Sequence, residues 1–375
     1  MSNAPRSQFF PIRIGAVAAA GAVILAACGD GSPETSADGG SVFTLQIGSA
    51  VPASTYPAIS HVSEIFVKGV EERVAAETTH EIEFAEQYGT VVGVGEELDA
   101  LSSGQLDMGT LGFAYQPSEL PLHNVNYYVP FSSPDATVSV AAYREVYENN
   151  EEFAQIIADK NQLVLGFYTV GNYGLGTNFP VDDVEAVRGQ EIAGVGANLE
   201  WLAPVNINPV QAPSTEWYSS FQTGVYDGVV TFTEGFNSLR LYEVLSHYLD
   251  MSFGAMTLGA VTVNLDTWEE LPPEVQDIVL EVGREFETES AERVNEAVAE
   301  SIDVMVSEGV EVVEADRDLI TQWAESLGSL PRDRAAEMDD TTGTRLGSDL
   351  IASFIRAQEE LGHEYPYPYE VGGQE

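Results

Sequence analysis

The hydrophobic positions of this chain follow two periods, one typical of strands and one typical of helices. "VFTLQIGSAV" (Val42 to Val51) and "HEIEFAEQYG" (His80 to Gly89) alternate apolar and polar residues, which predicts two strands. Between them, apolar residues recur at helical spacing, at Ile59, Val62, Ile65, Phe66 and Val70. "LVLGFYTVG" (Leu163 to Gly171) is apolar throughout, which predicts a strand buried on both faces. This order predicts an α/β fold with a mostly parallel sheet.

Two phrases of the sequence describe the same junction between a helix and a strand. "DALSSGQLDMGTLGF" and "SSFQTGVYDGVV" share glycine, aspartate and glycine at matching spacing, namely Gly104, Asp107 and Gly109, and Gly224, Asp227 and Gly228. Glycine suits the end of a helix, and an aspartate side chain accepts backbone N–H groups in a turn. The repetition predicts two lobes of similar construction, although glycine-rich junctions can also match by coincidence.

A long helix is predicted after Pro272 and Pro273, because proline suits the start of a helix. The segment Glu274 to Glu308 keeps an apolar stripe, at Val275, Ile278, Val279, Val282, Phe286, Val294, Val298, Ile302 and Met305. Its length of roughly 50 Å, at about 1.5 Å per residue, exceeds one small lobe. We therefore expect this helix to brace both lobes.

The charge of the chain excludes two classes of partner. Its 375 residues include 15 basic and 60 acidic ones, which gives a net charge of −45. Such a surface repels nucleic acid and anionic lipid head groups. It suits a protein that works at high ionic strength, where salt screens the repulsion between its own charges.

The N-terminal segment has the pattern of a bacterial lipoprotein leader. Arg6 and Arg13 precede the apolar run "IGAVAAAGAVILAAC", which is too short for an ordinary membrane span. The run ends in "LAAC", which resembles a lipobox, so residues 1–28 are predicted to be a signal peptide with lipidation at Cys28. Residues 29–41 ("GDGSPETSADGGS") have the composition of a flexible tether. We expect a cell-envelope protein anchored by lipid on the outer face of the cytoplasmic membrane; an ordinary signal peptide is the alternative.

Motifs that would indicate an enzyme are not found in the sequence. It contains no Gly-x-Ser-x-Gly nucleophile motif and no complete phosphate-binding or dinucleotide-binding loop. Its five histidines do not show the spacing of a zinc site, and no cofactor or metal is expected. A secreted α/β enzyme is therefore the disfavoured alternative to a binding protein.

Several segments together resemble the substrate-binding proteins of TRAP (tripartite ATP-independent periplasmic) transporters, the DctP-like family. They include "LSSGQLDMGTLGFAYQP", "ELPLHNVNYYVPF", "GTNFPVDDVEAVRGQEI", "NPVQAPSTEWYSSFQTGVYDGVV" and "VNLDTWEELPPEVQ". The resemblance covers about residues 43–308. It implies a two-lobe, type II-like periplasmic-binding-protein fold that closes over a small organic solute in a cleft between the lobes. It also implies small and large membrane subunits, driven by an ion gradient, as partners.

The resemblance further implies how the chain divides into lobes. Lobe I is expected to comprise residues 42–170 and 258–296. Lobe II is expected to comprise residues 171–257 and 297–352. Residues 353–375 are expected to form a C-terminal tail.

The sequence departs from the family at the positions that usually hold a carboxylate. The usual arginine position falls on Ala193, a second arginine position falls near Tyr173, and a frequent asparagine falls near Thr231. A buried carboxylate without a positive partner is costly. We therefore expect a neutral, aromatic or cationic solute. The alternative is carboxylic acid transport, with a C4-dicarboxylate or other organic acid as the ligand.

The candidate ligand contacts are aromatic and polar side chains near the expected cleft. The aromatic candidates, each of which also suits a position in a core, are Phe113, Tyr115, Tyr173, Trp201, Trp217 and Phe232. The polar candidates are Gln87, Asn198, Thr231 and Glu234. Aromatic faces combined with a carboxylate suit a cation.

Overall fold

The computed structural model describes residues 39–369 and 371. The predicted signal peptide, Cys28 and most of the predicted tether lie outside these residues. Among the described residues, no helix combines the length and the apolar composition of a membrane span.

The described residues form ten strands and twelve α-helices. The strands are β1 (Val42–Ser49), β2 (Glu81–Tyr88), β3 (Met108–Gly112), β4 (Gln162–Thr177), β5 (Glu191–Gly194), β6 (Asn208–Gln211), β7 (Gly228–Phe232), β8 (His247–Asp250), β9 (Ala255–Asn264) and β10 (Glu311–Glu314). The helices are α1 (Pro57–His61), α2 (Lys68–Glu77), α3 (Glu97–Ser102), α4 (Ala136–Asn149), α5 (Glu151–Ala158), α6 (Ser214–Gln222), α7 (Thr233–Ser238), α8 (Leu265–Glu270), α9 (Pro273–Ser307), α10 (Arg317–Ser326), α11 (Leu330–Thr342) and α12 (Leu346–Glu360). A π-helical turn at Val62–Val67 joins α1 to α2.

Strand β4 links two halves of the sheet, whose strand order is β2-β1-β3-β9-β4-β7-β5-β6. Its residues up to Asn172 pair with β9, whereas its residues from Tyr173 onward pair with β7 and, near its end, with β8. We call the half with β1, β2, β3 and β9 the first lobe, and the half with β5, β6, β7, β8 and β10 the second lobe. The chain thus has the α/β, two-lobe architecture that the sequence predicts.

The expectation of a mostly parallel sheet holds only for the outer strands of each lobe. β1 runs parallel to β2 and β3, and β5 runs parallel to β6 and β7. The pairs β3–β9, β9–β4, β4–β7 and β4–β8 are antiparallel. The sheet is therefore mixed, because β9 in the first lobe and β4 in the second each run against the strands beside them.

The two junctions that match in sequence have the same structure. Gly104 and Gly224 both end their helices at a φ of 71°. The Asp107 carboxylate accepts the N–H of Gln46 on β1 at 2.7 Å, and the Asp227 carboxylate accepts the N–H of Glu191 on β5 at 2.8 Å. Each aspartate thus attaches the junction to the neighbouring strand of its own lobe, so the repeated phrase encodes a repeated structure.

The long helix α9 contacts both lobes along its 35 residues. In the first lobe, His61 on α1 hydrogen-bonds Ser290 at 2.9 Å. In the second lobe, the Ser301 hydroxyl donates to the carbonyl of Thr233 at 2.7 Å. Between these points α9 packs directly on β4. The predicted brace is therefore present, one residue earlier at each end than expected.

Helices α11 and α12 pack on elements beside the first-lobe strands, whereas α10 contacts the turn of 3₁₀-helix at Ala203–Val205. α12 contacts α4, and both α11 and α12 contact the turn of 3₁₀-helix at Pro121–Tyr128. The side chain of Gln358 accepts the N–H of Ser133 at 3.0 Å. Beyond α12, the Tyr369 hydroxyl donates to the carbonyl of Pro130 at 2.8 Å.

His123 should make the stability of the fold depend on pH. Its ring is fully buried beside Phe113 and Phe153, and burial lowers its pKa to about 3. An unfolded histidine titrates near 6.5. Between pH 6.5 and pH 3 the unfolded chain therefore binds a proton at His123 that the folded chain does not bind. The stability that this residue contributes above pH 6.5 is lost as the pH falls through this range. From pH 6.5 to pH 5 this loss should be about 2 kcal/mol.

Urea unfolding of the wild type and of His123→Leu at both pH values measures this contribution. The many carboxylates also titrate, so the difference between the two proteins is the quantity to compare. The leucine variant should lose less stability on acidification than the wild type. Equal losses in the two proteins would show that His123 does not titrate in this way.

Candidate ligand-binding site

A small cavity of about 20 Å³ lies where the two lobes meet. The first lobe contributes Tyr56, Ala114, Tyr115, Tyr127 and Leu258 to its lining. The remaining lining residues are Tyr173, Val195, Asn198, Ser214, Trp217, Thr231 and Phe232. A volume of this size is on the order of what one water molecule needs, so a larger solute requires the lining to move apart.

The topology brings these side chains together at the carboxyl ends of strands. Tyr56 follows β1 and Tyr115 follows β3, whereas Asn198 follows β5 and Ser214 follows β6. Thr231 and Phe232 are the last two residues of β7. Open α/β sheets place ligands at this edge, and the two lobes present such edges to one cavity.

Hydroxyl groups connect the two sides of the cavity. The Tyr56 hydroxyl lies 2.6 Å from the Tyr115 hydroxyl and 3.2 Å from the hydroxyl of Ser214 on the opposite side. The Tyr127 hydroxyl lies 3.1 Å from that of Tyr173. A solute that enters the cavity can exchange these contacts for its own.

Six of the twelve lining residues are aromatic. The Tyr173 ring meets Tyr127, Trp201 and Phe232 edge to face, with ring centroids 6.1, 5.4 and 5.9 Å apart. The Tyr56 ring lies 5.2 Å from Phe232 in a similar orientation. Such perpendicular contacts are favourable for aromatic pairs and hold each ring in one orientation.

The cavity tyrosines are neutral at physiological pH. Burial raises the pKa of Tyr56, although hydrogen bonds to Ser214 and Tyr115 oppose the shift. Burial also raises the pKa values of Tyr115, Tyr127 and Tyr173. Their hydroxyls therefore act as hydrogen-bond donors and acceptors, and their rings present uncharged π faces.

The lining residues include no arginine, lysine, histidine, aspartate or glutamate. Ala193, where the resemblance leads us to expect an arginine, is fully buried in the apolar cluster that contains Trp217 and Phe221. Arg188 and Arg240 are exposed, and each pairs with a nearby glutamate of its own segment. The described structure therefore offers no guanidinium group to a carboxylate in this cavity.

Six of the residues predicted as ligand contacts line the cavity, namely Tyr115, Tyr173, Asn198, Trp217, Thr231 and Phe232. Asn198 is held by a hydrogen bond from the N–H of Val195 to its side-chain oxygen at 3.0 Å. The Trp217 indole donates to the carbonyl of Ala212 at 3.0 Å. These bonds fix the two polar groups at the second-lobe side of the cavity.

The other four predicted contacts lie elsewhere. Phe113 packs in the first-lobe core among His123, Tyr143 and Phe167. Trp201 stands behind Tyr173 and uses its indole N–H to bond the carbonyl of Tyr127 at 2.8 Å.

Gln87 and Glu234 also fall outside the lining, for different reasons. Gln87 is on the edge strand β2, where its side chain donates to that of Gln46 at 3.3 Å. Glu234 is buried in α7, and its carboxylate accepts the N–H of Gly171 at 2.9 Å. Burial raises the pKa of Glu234 to about 7, against the opposing effect of that hydrogen bond.

Sequence reasoning missed Tyr56, Tyr127 and Ser214, together with the apolar lining residues Ala114, Val195 and Leu258. Tyr56 precedes a proline in the loop after the first predicted strand, and Ser214 opens the predicted helix after another strand. Both therefore stand at the strand ends where a cleft was expected. Their position next to a strand end was the signal that could have identified them.

Among the described residues, no group of three or more histidine, cysteine, aspartate or glutamate side chains is placed to hold a metal ion. The chemistry of the cavity therefore consists of aromatic faces, hydroxyls and one amide. These groups can bind and orient a solute.

Comparison with known proteins identifies relatives over most of the chain. The family model described as bacterial extracellular solute-binding protein, family 7 (DctP) matches residues 48–337. A solute-binding protein of Chromohalobacter salexigens is 26% identical over 230 residues, which cover 60% of this chain and 67% of that protein.

Solved structures share the fold. A TRAP periplasmic solute-binding protein from Desulfovibrio salexigens has a TM-score of 0.73 at 20% identity, over 85% of this chain and 97% of that chain. A TRAP periplasmic solute-binding protein from Bordetella bronchiseptica, with bound (R)- and (S)-mandelate, has a TM-score of 0.71 at 23% identity, over 85% and 99% of the two chains.

Proposed function

This chain belongs to the bacterial extracellular solute-binding protein family 7, and we propose that it captures a neutral, aromatic or cationic solute in the cavity between its lobes. We propose that it acts as a TRAP periplasmic solute-binding receptor, which binds its solute without chemical turnover. The finer parts of the proposal are the class of solute, the lipid anchor at Cys28, and delivery to the small and large membrane subunits of a TRAP transporter.

The observation that carries the proposed solute class is the composition of the cavity wall. No cationic side chain is among the lining residues. Six aromatic rings line the cavity, namely those of Tyr56, Tyr115, Tyr127, Tyr173, Trp217 and Phe232. An anionic group enclosed here would lose its hydration without gaining a positive partner, which costs several kcal/mol. A cation instead gains about 0.5–2 kcal/mol at an aromatic face.

Closure around the solute supports the receptor mechanism. Besides the contact between Tyr56 and Ser214, the Ser238 hydroxyl on α7 donates to the carbonyl of Thr55 at 3.0 Å. The Trp201 indole N–H also bonds the carbonyl of Tyr127, and the Tyr56 ring packs on the ring of Phe232. A solute that contacts both walls adds to them, so binding shifts the population toward the closed arrangement that the membrane subunits recognise.

A conventional organic acid is the alternative solute. Hydroxyl donors line the cavity, and the related Bordetella protein holds mandelate, which is both aromatic and a carboxylate. In this alternative, Tyr56, Tyr115 and Ser214 replace the arginine as donors to the carboxylate. Hydrogen bonds from hydroxyls to a carboxylate contribute more to binding than hydrogen bonds between neutral groups. They contribute less than the bidentate hydrogen bonds of a guanidinium group would.

A binding screen at high ionic strength tests the proposed solute class. The purified full chain is heated with single compounds from three sets, namely organic cations, neutral aromatic compounds and organic acids. At a concentration 100 times its dissociation constant, a ligand stabilises the native state by about 2.7 kcal/mol, so it should raise the melting temperature measurably. We expect the strongest shifts from the first two sets, and calorimetry should show binding without turnover.

Strongest binding by dicarboxylates, with the other two sets inactive, would favour the conventional organic-acid receptor. Release of a chemically altered product from any compound would contradict the receptor proposal and favour the enzyme alternative.

A further inference from the structure

Glu97 is a buried acid beside the cavity. It lies at the start of α3 and is only 3% exposed. Its carboxylate accepts the N–H of Gly95 at 2.7 Å, and the side-chain amide of Gln116 approaches the same oxygen at 3.5 Å. Within the described part of the chain, it forms no ion pair with a lysine, arginine or histidine.

The carboxylate contacts the segment that continues from the first-lobe wall of the cavity. Gln116, which contacts it, follows the lining residue Tyr115 in the chain. Burial is the main cause of the raised pKa values of Tyr56 and Tyr168, and the negative charge of Glu97 contributes to both. Tyr56 lines the cavity, and its hydroxyl contacts that of Tyr115 at 2.6 Å.

The dipole of α3 alone does not account for a buried acid at this position. Acidic residues are favourable in the first turn of a helix, and they have this effect while exposed to solvent. Glu96 and Asp99 already provide such exposed acids at the same helix end. Burial of a further carboxylate without a cation is costly, and groups of this kind concentrate at functional sites.

We propose that Glu97 is a specificity-determining residue that selects a positively charged solute, with the tyrosine rings contacting the cation and the carboxylate supplying the counter-charge behind them. This inference rests on the proposed receptor function and narrows its solute class. Glu97 does not line the cavity, so it acts through the electrostatic potential and not by direct contact. Among the described residues no cation pairs with Glu97, and the charge of the solute completes the pair.

The test uses pairs of compounds that share a shape and differ in charge. Choline is compared with 3,3-dimethyl-1-butanol, and benzylamine is compared with benzyl alcohol, while benzoate and mandelate represent the anions. Calorimetry of the wild-type full chain should show at least one cation binding tenfold or more tightly than its neutral counterpart.

Three variants separate the charge of Glu97 from its structural role. Glu97→Gln keeps the size and the oxygen that accepts the Gly95 N–H, and it should abolish the preference for the cation while leaving the neutral compound unchanged. Glu97→Asp keeps the charge and should retain the preference. Asp99→Asn removes one exposed charge from the same helix and should behave as the wild type.

Each outcome decides the inference. Equal losses of cation affinity in Glu97→Gln and Asp99→Asn would overturn it, because net charge alone would then explain the effect. If benzoate or mandelate binds most tightly, and with the same affinity in Glu97→Gln, the inference is overturned and the receptor function remains in place. Binding of none of the compounds by a folded wild-type chain would count against both this inference and the proposed solute class.

Discussion

Replacing Gly283 by valine should destabilise the protein by about 3 kcal/mol or more, because α9 and β4 meet there without side chains between them. A Cβ atom at Gly283 would lie 2.3 Å from the carbonyl oxygen of Leu165 and 2.8 Å from its carbonyl carbon. From the opposite side, a Cβ atom at Gly166 would lie 2.5 Å from the carbonyl oxygen of Gly283. These are backbone atoms, so they cannot rotate away as the end of a side chain can.

The intrinsic preference of the helix opposes this loss and makes the result easier to interpret. Glycine is less favourable than valine inside a helix, so the substitution should stabilise an isolated helix slightly. Any destabilisation therefore comes from separating α9 from β4. Since β4 belongs to both lobes and α9 contacts both, the effect should extend to the relative position of the lobes.

Urea unfolding of Gly283→Val and of Ala299→Val measures the effect. Ala299 is exposed on the same helix, so its substitution adds similar bulk without a close neighbour. We expect the control to lose at most about 1 kcal/mol, because valine is a weaker helix former than alanine. Similar unfolding midpoints for the two variants would contradict the close contact between α9 and β4.

The second large effect is expected at Tyr173, whose replacement by alanine should reduce ligand affinity by a hundredfold or more. Tyr173 is the residue at which β4 passes from pairing with β9 to pairing with β7, and its ring contacts three other aromatic rings at the cavity. Its removal deletes part of the wall and leaves a void. The void should also cost roughly 3–5 kcal/mol of folding stability, as for other large-to-small substitutions in cores.

The milder substitution Tyr173→Phe separates the role of the ring from that of the hydroxyl. It removes the contact between the hydroxyls of Tyr173 and Tyr127 and keeps the ring. If the solute contacts the aromatic face, as we propose, affinity should fall by less than tenfold. If the Tyr173 hydroxyl itself holds a polar group of the solute, phenylalanine should cost nearly as much affinity as alanine.

Tyr143→Phe is the matched control, because it also removes one buried hydroxyl contact, to the carbonyl of His123, but in the first-lobe core. Calorimetry should show unchanged ligand affinity for this variant. Unchanged affinity in Tyr173→Ala, in a chain that still folds, would show that the solute binds elsewhere.

The wall of the cavity and the cores of the lobes use the same residue types, which limited prediction of the site. Phe113 and Tyr115 are two positions apart in the same short 3₁₀ turn, yet one ring is in the first-lobe core and the other is at the cavity. Burial is nearly complete for Phe113, Trp201 and Tyr173 alike, so hydrophobicity does not distinguish them. The distinction depends on which side of a strand end faces the other lobe.

The sequence by itself determined the features that near neighbours encode. Periodicity indicated the strands and α9, and glycine and aspartate indicated the repeated junctions. The tertiary structure alone decided that Tyr56 meets Ser214 across 158 positions of the chain, and that β4 and β9 run against their neighbours. Local patterns specify an element and its buried face, whereas pairing between distant segments depends on how whole lobes pack together.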